Sequence, residues 1–337
     1  MVVVLLLFYK FFQVEPKTTI SNFNKVDNYI CYVVEDTILV VKDLNNEKVL
    51  EKKLSNSFTY KPLIFNDKIF FSESNDIISC WDLKTKMVLW KQKTPNSVKA
   101  IIKLNEKTIL INIKNYGFIV LNSERGEILY QILRNQKDCH SPDLSPYPVV
   151  VDNNTFYISN WNCNSISSFN ILDGKLLWSK KLEDGIYTAL LHEDYIFLGF
   201  NNSYENGGTY LVEKKTGTVV LKKQLLFEER LTPVIKNNKV FFYTYDKKLN
   251  EFDFTTRKDK VISQFTSSDD ISGGQIYLID NSVYFQDSNF DLFKFDLLNY
   301  KKELIGKSNF GGIEEVYKKN NHVVLIFPDN SSLTVEL

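Results

Sequence analysis

Short apolar runs alternate with polar turns along the whole chain, and the alternation has a long period. In each of seven units an apolar run ends at an acidic residue or an asparagine, a polar turn follows, and a second apolar run begins; residues 81–90, WDLKTKMVLW, are the clearest copy. The corner residues are Asp43, Asp82, Asn122, Asn170, Glu213, Asp253 and Asp296. Their spacing of 39 to 48 residues is typical of the blades of a β-propeller.

A second kind of turn lies before each corner. Short segments rich in Asn and Asp separate two apolar runs at eight places, which start at residues 26, 66, 105, 152, 192, 237, 280 and 320. Asn and Asp tolerate left-handed backbone angles, so these segments predict tight hairpin turns between the first two strands of each unit. Eight hairpin turns indicate eight units.

The last unit supplies three strands, and the start of the chain offers a fourth. After residue 320 come only HVVLIF and SLTVEL, whereas VVVLLLFYKFF precedes the first unit. The sequence therefore predicts an all-β fold with a single domain over residues 1–337. We expect an eight-bladed β-propeller of four-stranded antiparallel blades, in which residues 1–13 form the closing strand of the eighth blade.

The apolar N-terminal run has a second interpretation, as the remnant of a signal or an anchor. It is shorter than the roughly 20 residues that span a bilayer, so we predict no transmembrane segment. A signal peptide would also begin with basic residues and end at a small-residue cleavage site, and neither is visible in the sequence.

Large side chains recur eight residues after several corners. Trp90, Tyr130 and Trp178 occupy this position in three units, on what should be the fourth strand. Trp81 lies one residue before its corner, where other units carry Phe. Because these positions follow the repeat, we interpret the aromatic residues as packing between blades and not as a binding site.

The units resemble the repeat of the quinoprotein-like, or PQQ-repeat, β-propellers, in which an apolar residue and Asp precede a turn with Thr-Gly-Lys and then Val-Leu-Trp. The copies WDLKTKMVLW, FNILDGKLLW and LVEKKTGTVVL carry the resemblance. That family includes alcohol dehydrogenases that use pyrroloquinoline quinone and calcium, and cofactor-free propellers such as the outer-membrane assembly lipoprotein that scaffolds barrel insertion. The dehydrogenases would imply two adjacent cysteines, which this sequence lacks. The resemblance therefore favours the non-dehydrogenase branch, and no cofactor is expected.

Charge and cysteine content narrow the function. The 41 basic and 41 acidic residues cancel and no Lys/Arg run dominates a segment, so we expect no nucleic-acid partner. The cysteines at 31, 80, 139 and 163 show no CxxC spacing and give no argument for a zinc knuckle or a disulfide scaffold. We expect a monomer in the cytoplasm, with the bacterial cell envelope as the alternative.

Departures from the repeat mark the candidate site. The link after the third unit is enlarged and rich in Pro, at 134–148, the fifth unit carries an insertion at 201–208, and Glu183 and Asp184 form an acidic link between them. In a propeller such links share one rim with the turns between second and third strands, and loops on a rigid scaffold commonly carry function. The residues expected to contact a partner, in blades four to six, are His140, Asp143, Trp161, Tyr204, Glu205, Glu228 and Glu229.

Two chemical interpretations stay open for this sector. Cys139, Cys163 and His140 are ligand types for zinc, but two cysteines on long loops also suit one disulfide, so no metal is assigned. No GxSxG, Walker or HExxH motif occurs, and His192 and His322 lie in hairpin turns predicted at the opposite rim. No residue receives a catalytic role, which favours a protein that is not an enzyme without deciding the question.

The leading hypothesis is a non-catalytic propeller scaffold that binds a protein partner through the rim of blades four to six. An immunity or inhibitor protein and an envelope scaffold are two versions of it. The alternative is a carbohydrate- or small-molecule-acting enzyme or lectin that uses the same rim, with Trp161 and Tyr204 as stacking platforms.

Overall fold

The computed structural model contains only β-strands as regular elements among the residues it describes. Those residues are 20–26, 28–43, 45, 47–55, 60–74, 76–133, 149–160, 163–201, 207–225, 232–265, 276–287, 289–308, 311–329 and 331–337.

Four strands follow one another in each of the first seven units, and the eighth unit has three described strands. The first, innermost strands are β1 (Ile20–Val26), β5 (Leu63–Phe65), β9 (Val98–Lys103), β13 (Val149–Asp152), β17 (Ile186–His192), β21 (Val234–Lys236), β25 (Tyr277–Ile279) and β29 (Glu315–Lys319). The second strands are β2 (Tyr29–Val34), β6 (Lys68–Ser74), β10 (Thr108–Ile113), β14 (Thr155–Asn160), β18 (Tyr195–Asn201), β22 (Lys239–Thr244), β26 (Ser282–Gln286) and β30 (His322–Ile326). The third strands are β3 (Ile38–Asp43), β7 (Ile77–Asp82), β11 (Gly117–Asn122), β15 (Ser165–Asn170), β19 (Gly207–Glu213), β23 (Lys248–Asp253), β27 (Asp291–Asp296) and β31 (Ser332–Glu336). The fourth, outermost strands are β4 (Lys48–Lys53), β8 (Met87–Lys93), β12 (Ile128–Leu133), β16 (Leu176–Lys181), β20 (Val219–Gln224), β24 (Lys258–Gln264) and β28 (Lys302–Lys307).

Each unit forms one antiparallel sheet whose strands lie side by side in chain order. Seven sheets have four strands, and the eighth has three described strands, β29, β30 and β31. The protein is thus an eight-bladed β-propeller, as the sequence predicted. Residues 1–13 lie outside the described residues, so the closing strand, and with it the single domain over 1–337, stays a prediction.

The predicted hairpin turns join the first strand to the second. Phe65 pairs with Lys68 across Asn66 and Asp67, whose φ angles are 52° and 54°. Asn and Asp adopt this left-handed conformation at lower cost than other residues with a Cβ. This is the physical reason that Asn and Asp marked the hairpin turns in the sequence.

Each predicted corner ends a third strand, and in most blades its side chain closes the turn to the fourth. Asp82 Oδ1 accepts hydrogen bonds from the backbone N–H groups of Lys84 and Thr85, at 2.9 and 2.7 Å, and from the Thr85 hydroxyl at 3.1 Å. Asn122 Oδ1 accepts two backbone hydrogen bonds in the same way. A short side chain with an acceptor oxygen is what this turn requires, so Asp and Asn recur there.

Two rims follow from this topology. We call the rim that carries the hairpin turns and the corners the corner rim. The opposite rim, which carries the links between blades and the turns between second and third strands, is the link rim.

The hydrophobic core lies between neighbouring blades. One cluster joins Phe70, Ile78 and Trp90 of the second blade to Ile109 and Ile111 of the third. Because both faces of a blade are covered, an inner strand can be buried along its whole length; all six residues of β10 are buried.

The aromatic residues of the outermost strands pack between blades, as predicted. Trp90 is buried, and its Nε1 donates a hydrogen bond to the carbonyl of Ser123 in the next blade at 3.1 Å. Tyr130 and Trp178 donate the equivalent bond to the blade that follows each of them, at 2.6 and 2.8 Å. Trp81 is half-buried against the core between the first two blades. The packing interpretation of both ends of WDLKTKMVLW is confirmed.

Candidate functional site

The segments that hold the predicted contact residues connect strand ends on the link rim. They run from β12 to β13, from β14 to β15, from β18 to β19 and from β20 to β21. Neighbouring strands are antiparallel, so every second and fourth strand ends at the link rim, and every first and third strand begins there. The contact residues themselves, His140, Asp143, Trp161, Tyr204, Glu205, Glu228 and Glu229, lie outside the described residues, and their role stays a prediction.

A cluster of charged and aromatic side chains lies at the link rim of the fifth blade. Asp184, in the link between β16 and β17, accepts a hydrogen bond from the Tyr210 hydroxyl. Lys222 Nζ lies 2.9 Å from Asp184 Oδ2 and 2.6 Å from Glu183 Oε2. The same Nζ lies 5.4 Å from the ring centroids of Phe200 and Tyr210, within the range of cation–π attraction. The cluster fastens the link to three strands of the blade.

The two acidic residues of this link differ in their exposure to solvent. Asp184 is 7% exposed, whereas the Glu183 side chain is 81% exposed. Burial, and then the hydrogen bond to Asp184, raise the pKa of Tyr210 to about 12. Partial burial alone would lower the pKa of Lys222, but its hydrogen bonds to Glu183 and Asp184 outweigh this and raise it. The buried Asp184 carboxylate is therefore compensated within the protein, and only Glu183 presents an acidic group at the surface of this link.

The sequence did not reveal this cluster, although one signal for it exists. Tyr210 and Lys222 are directly paired in the register of β19 and β20. A lysine opposite a buried tyrosine is itself partly buried, and its charge then requires a nearby carboxylate. Gly208 makes room for the arrangement, because a Cβ there would lie 2.6 Å from Cζ of Phe200.

Cys163 is disulfide-bonded, and Cys31 and Cys80 are free and buried. A disulfide sulfur is not a thiolate, so it cannot be a zinc ligand. The sequence left a disulfide and a zinc site open for Cys163; the structure shows a disulfide there, and the zinc interpretation loses this ligand. Within the described ranges, no group of three or more His, Cys, Asp and Glu residues is placed to hold a metal ion.

In the sixth blade, hydrogen bonds and an ion pair connect the turn between the second and third strands to the strands around it. Gln264 Nε2 donates a hydrogen bond to the Asp246 carbonyl at 3.0 Å, and the Asp246 carboxylate forms an ion pair with Lys248. Burial acts to raise the pKa of Asp246, but hydrogen bonds from Lys248 and Thr244 outweigh it and lower the pKa. This turn of the link rim, in one of the blades that carry the predicted loops, is therefore anchored to two strands of its own blade.

His192 lies at the corner rim, as predicted. Its ring stacks on Phe254 at 4.1 Å between centroids and its Nε2 is hydrogen-bonded to Asn238. These contacts give His192 a packing role. In the part of the chain that the structure describes, no helix is long and apolar enough to cross a membrane.

The sequence matches the model of a family described as outer membrane protein assembly factor BamB, over residues 43–157 and 148–297. These two overlapping matches span more than half of the chain. No curated protein matches the chain at a significant level.

Solved propellers share the fold at low sequence identity. BamB from Moraxella catarrhalis is 14% identical with a TM-score of 0.58, over 82% of this chain and 96% of that one. Sqt1 from Saccharomyces cerevisiae is 9% identical with a TM-score of 0.73, over 96% of this chain and 97% of that one. The computationally designed Ika8 protein is 13% identical with a TM-score of 0.70, over 96% and 97% of the two chains. Identities this low establish the fold alone.

Proposed function

Because the chain belongs to the PQQ-repeat β-propeller family of the outer membrane protein assembly factor BamB, we propose that it is a non-catalytic scaffold that binds a protein partner through the link rim of blades four to six. A propeller of this type is consistent with protein–protein interaction. The contact residues are those predicted from the sequence, with Trp161 and Tyr204 as aromatic anchors.

One geometric observation carries the proposal. The four segments that hold the predicted contact residues connect strands whose described ends share one rim of adjacent blades. The Asp184–Lys222–Tyr210 cluster attaches one link of that rim to the strands of the fifth blade. A rigid support lowers the entropic cost of presenting loops to a partner.

The disulfide at Cys163 supports the cell envelope as the compartment. Disulfides persist in oxidising compartments and are rare in the cytosol. The cytoplasmic expectation depended on the absence of a disulfide pattern in the sequence, and Cys163 removes that argument. The envelope scaffold is therefore preferred over a cytoplasmic immunity or inhibitor protein.

Site-specific photo-crosslinking in the native cell tests the proposal. A benzoylphenylalanine at Tyr204 or Trp161 should give a defined protein adduct, and the same group at Lys84 or Glu124, exposed on the corner rim, should give none. Equal adducts from both rims would contradict the assignment. The lectin alternative would be favoured by a different result. In that case no protein adduct forms, and the wild-type protein binds glycans through Trp161 and Tyr204.

A further inference from the structure

The outermost strands carry a β-bulge at the same place in consecutive blades. In β8, Trp81 pairs with Val88 and Cys80 pairs with Trp90, so Leu89 is the extra residue. The equivalent interruptions leave Leu129 in β12 and Leu177 in β16 without a paired residue on the neighbouring strand. A bulge redirects the side chain of its extra residue, and in blades two to four that residue is a leucine.

These three leucines are exposed to solvent. Leu89, Leu129 and Leu177 are 43%, 44% and 50% exposed. An apolar residue precedes each of them, and these residues, Val88, Ile128 and Leu176, are 38%, 41% and 50% exposed. Each bulge lies next to an aromatic residue that is fixed on the following blade. Because the aromatic side chain packs between the blades, the leucine that precedes it in the bulge is left on the solvent side. We call the six residues of blades two to four the leucine wall.

The opposite side of the ring has different chemistry at the same positions. Six and seven residues after their corners, blade six carries Asp259 and Lys260, and blade seven carries Lys302 and Glu303. Each of these blades keeps a single exposed apolar residue on its outer strand, Val261 at 47% and Leu304 at 60%. Exposed apolar residues concentrated on one side of a soluble protein are candidates for a binding role. The contrast between the two sides makes the leucine wall a candidate interface.

On the link-rim side, the charged residues of the outer strands next to the leucine wall are all lysines, whereas the exposed Glu127 lies beside Ile128 on the corner-rim side. Toward the link rim, β8 continues with Lys91 and Lys93, and β16 with Lys180 and Lys181. The strands β8, β12 and β16 contain no Asp or Glu. Lys91 is paired with Glu73 at 2.5 Å, whereas Lys180 and Lys181 are exposed. A complementary partner therefore combines apolar side chains with carboxylates.

The curvature of the ring restricts the shape of that partner. Eight blades around one axis turn by about 45° from one to the next, so the outer strands of blades two and four face directions about 90° apart. A flat bilayer or a straight helix cannot reach all three pairs at once. Bulges also disrupt the free backbone edge, which disfavours strand addition. An extended chain that runs around the ring meets both conditions.

We propose that the leucine wall binds an extended acidic segment of a partner protein, which runs around blades two to four. Its apolar side chains contact Leu89, Leu129 and Leu177, and its carboxylates pair with Lys180 and Lys181. The six apolar residues lie on outer strands, whereas the contact residues of the first proposal lie in link-rim loops, so different variants test the two proposals even though Lys180 and Lys181 adjoin the link rim of blade four.

Fluorescence anisotropy on the full chain tests the proposal with a fluorescein-labelled peptide of four Leu-Glu-Pro-Glu repeats. Proline keeps the peptide extended, and 16 residues at about 3.1 Å each span roughly 50 Å. Wild-type protein should bind this peptide, and binding should weaken as salt is raised from 50 to 500 mM because the charged groups are exposed. A peptide with Lys in place of Glu should not bind.

Matched variants locate the site. The triple variant Leu89→Ser, Leu129→Ser and Leu177→Ser should weaken binding by at least about tenfold, and Lys180→Gln with Lys181→Gln should remove most of the salt dependence. Val261→Ser with Leu304→Ser removes comparable exposed apolar groups on the opposite side and should leave binding unchanged. All these positions are exposed, so the substitutions should not disturb the fold. The melting temperature of each variant should be close to that of the wild type.

Three results would overturn the proposal. The first is absence of peptide binding at about 1 mM, or equal loss in the Val261 and Leu304 control. The second is binding of phosphatidylglycerol vesicles through the leucine wall without binding of the peptide, which would identify a membrane contact. The third is a dimer of the chain that the triple serine variant dissociates, which would identify a second copy as the occupant.

Discussion

The indole ring of Trp90 lies directly on Gly126 of the next blade. A Cβ built on Gly126 would lie 2.5 Å from Cδ2 of Trp90, and the φ angle of Gly126 is 71°. Two further aromatic–glycine pairs repeat the contact, Tyr130 with Gly174 and Trp178 with Gly217. Where the turn carries a residue other than glycine, namely Lys86, Arg257 and Tyr300, the matching residue of the preceding blade is Glu51, Leu221 and Val261. Neighbouring blades are thus matched in size at this contact.

Gly126→Ala should destabilise the propeller by about 2–4 kcal/mol, because it combines a left-handed backbone with a steric clash. The midpoint of chemical denaturation measures the loss. Lys86→Ala is the control, since Lys86 has a φ of 59° in the equivalent turn and the matching residue of the preceding blade is Glu51 and not an aromatic residue. A cost for Lys86→Ala as large as that for Gly126→Ala would contradict the packing argument. In a Trp90→Ala background the cost of Gly126→Ala should fall, which a double-mutant cycle shows.

Asp82→Ala should cost about 1–2 kcal/mol, because three donors in the turn lose their acceptor. Asp82→Asn keeps the acceptor oxygen and should retain most of the stability. The backbone hydrogen bond from Thr85 is the main cause that lowers the pKa of Asp82 below its usual value of 3.8. The contribution of the charged side chain is therefore complete above pH 3.8 and is lost as the pH falls through the folded-state pKa. Denaturation curves measure the difference in free energy of unfolding between wild type and Asp82→Ala. This difference should be smaller at pH 2.5 than at pH 7. An equal difference at the two pH values would show that the negative charge of Asp82 does not contribute to stability.

Glu314→Gln should stabilise the protein at neutral pH. Burial is the main cause that raises the pKa of Glu314, with Lys61 acting against it and Glu315 adding to it. Above the usual value of 4.5 the folded state holds the proton more tightly than the unfolded state, so stability falls as the pH rises through the folded-state pKa. The melting temperature should rise by on the order of 1–2 °C at pH 7.5 and change little at pH 4.

Glu315→Gln is the matched control for this prediction. Glu315 pairs with Lys61 at 3.2 Å, so its neutralisation should not stabilise the protein at either pH. If both variants raised the melting temperature equally, general charge reduction and not the burial of Glu314 would be the cause.

The parts of the fold that the sequence revealed are those in which one residue carries a local geometric requirement. Asp82 had to accept hydrogen bonds within its own turn, and Asn66 had to adopt a left-handed angle, so both were visible without a structure. The sequence places Asp184 in an acidic link but does not indicate its partners, because Lys222 and Tyr210 lie 38 and 26 residues away along the chain. The sequence also does not indicate the leucine wall, because the bulge that exposes Leu89 depends on the register of two strands.

Cys163 should resist alkylation in unfolded, unreduced protein. Iodoacetamide in denaturant should modify Cys31 and Cys80, which are free, and should modify Cys163 only after reduction, since it is disulfide-bonded. Peptide mass mapping of protein taken from its native compartment measures this. Modification of Cys163 without reductant would contradict both the disulfide and the inference that the protein works in an oxidising compartment.

Removal of residues 1–13 should open the outer edge of the eighth blade. Among the described residues β31 pairs with β30 alone, and the prediction is that the N-terminal segment covers its other edge. Hydrogen exchange followed by mass spectrometry should therefore find residues 331–337 protected in the full chain and exposed in the truncated one. The outermost strand β28 provides the control, because its exchange should be the same in both proteins. If residues 331–337 exchange as fast as β28 in the full chain, the apolar segment does not close the ring, and its interpretation as a signal or an anchor gains support.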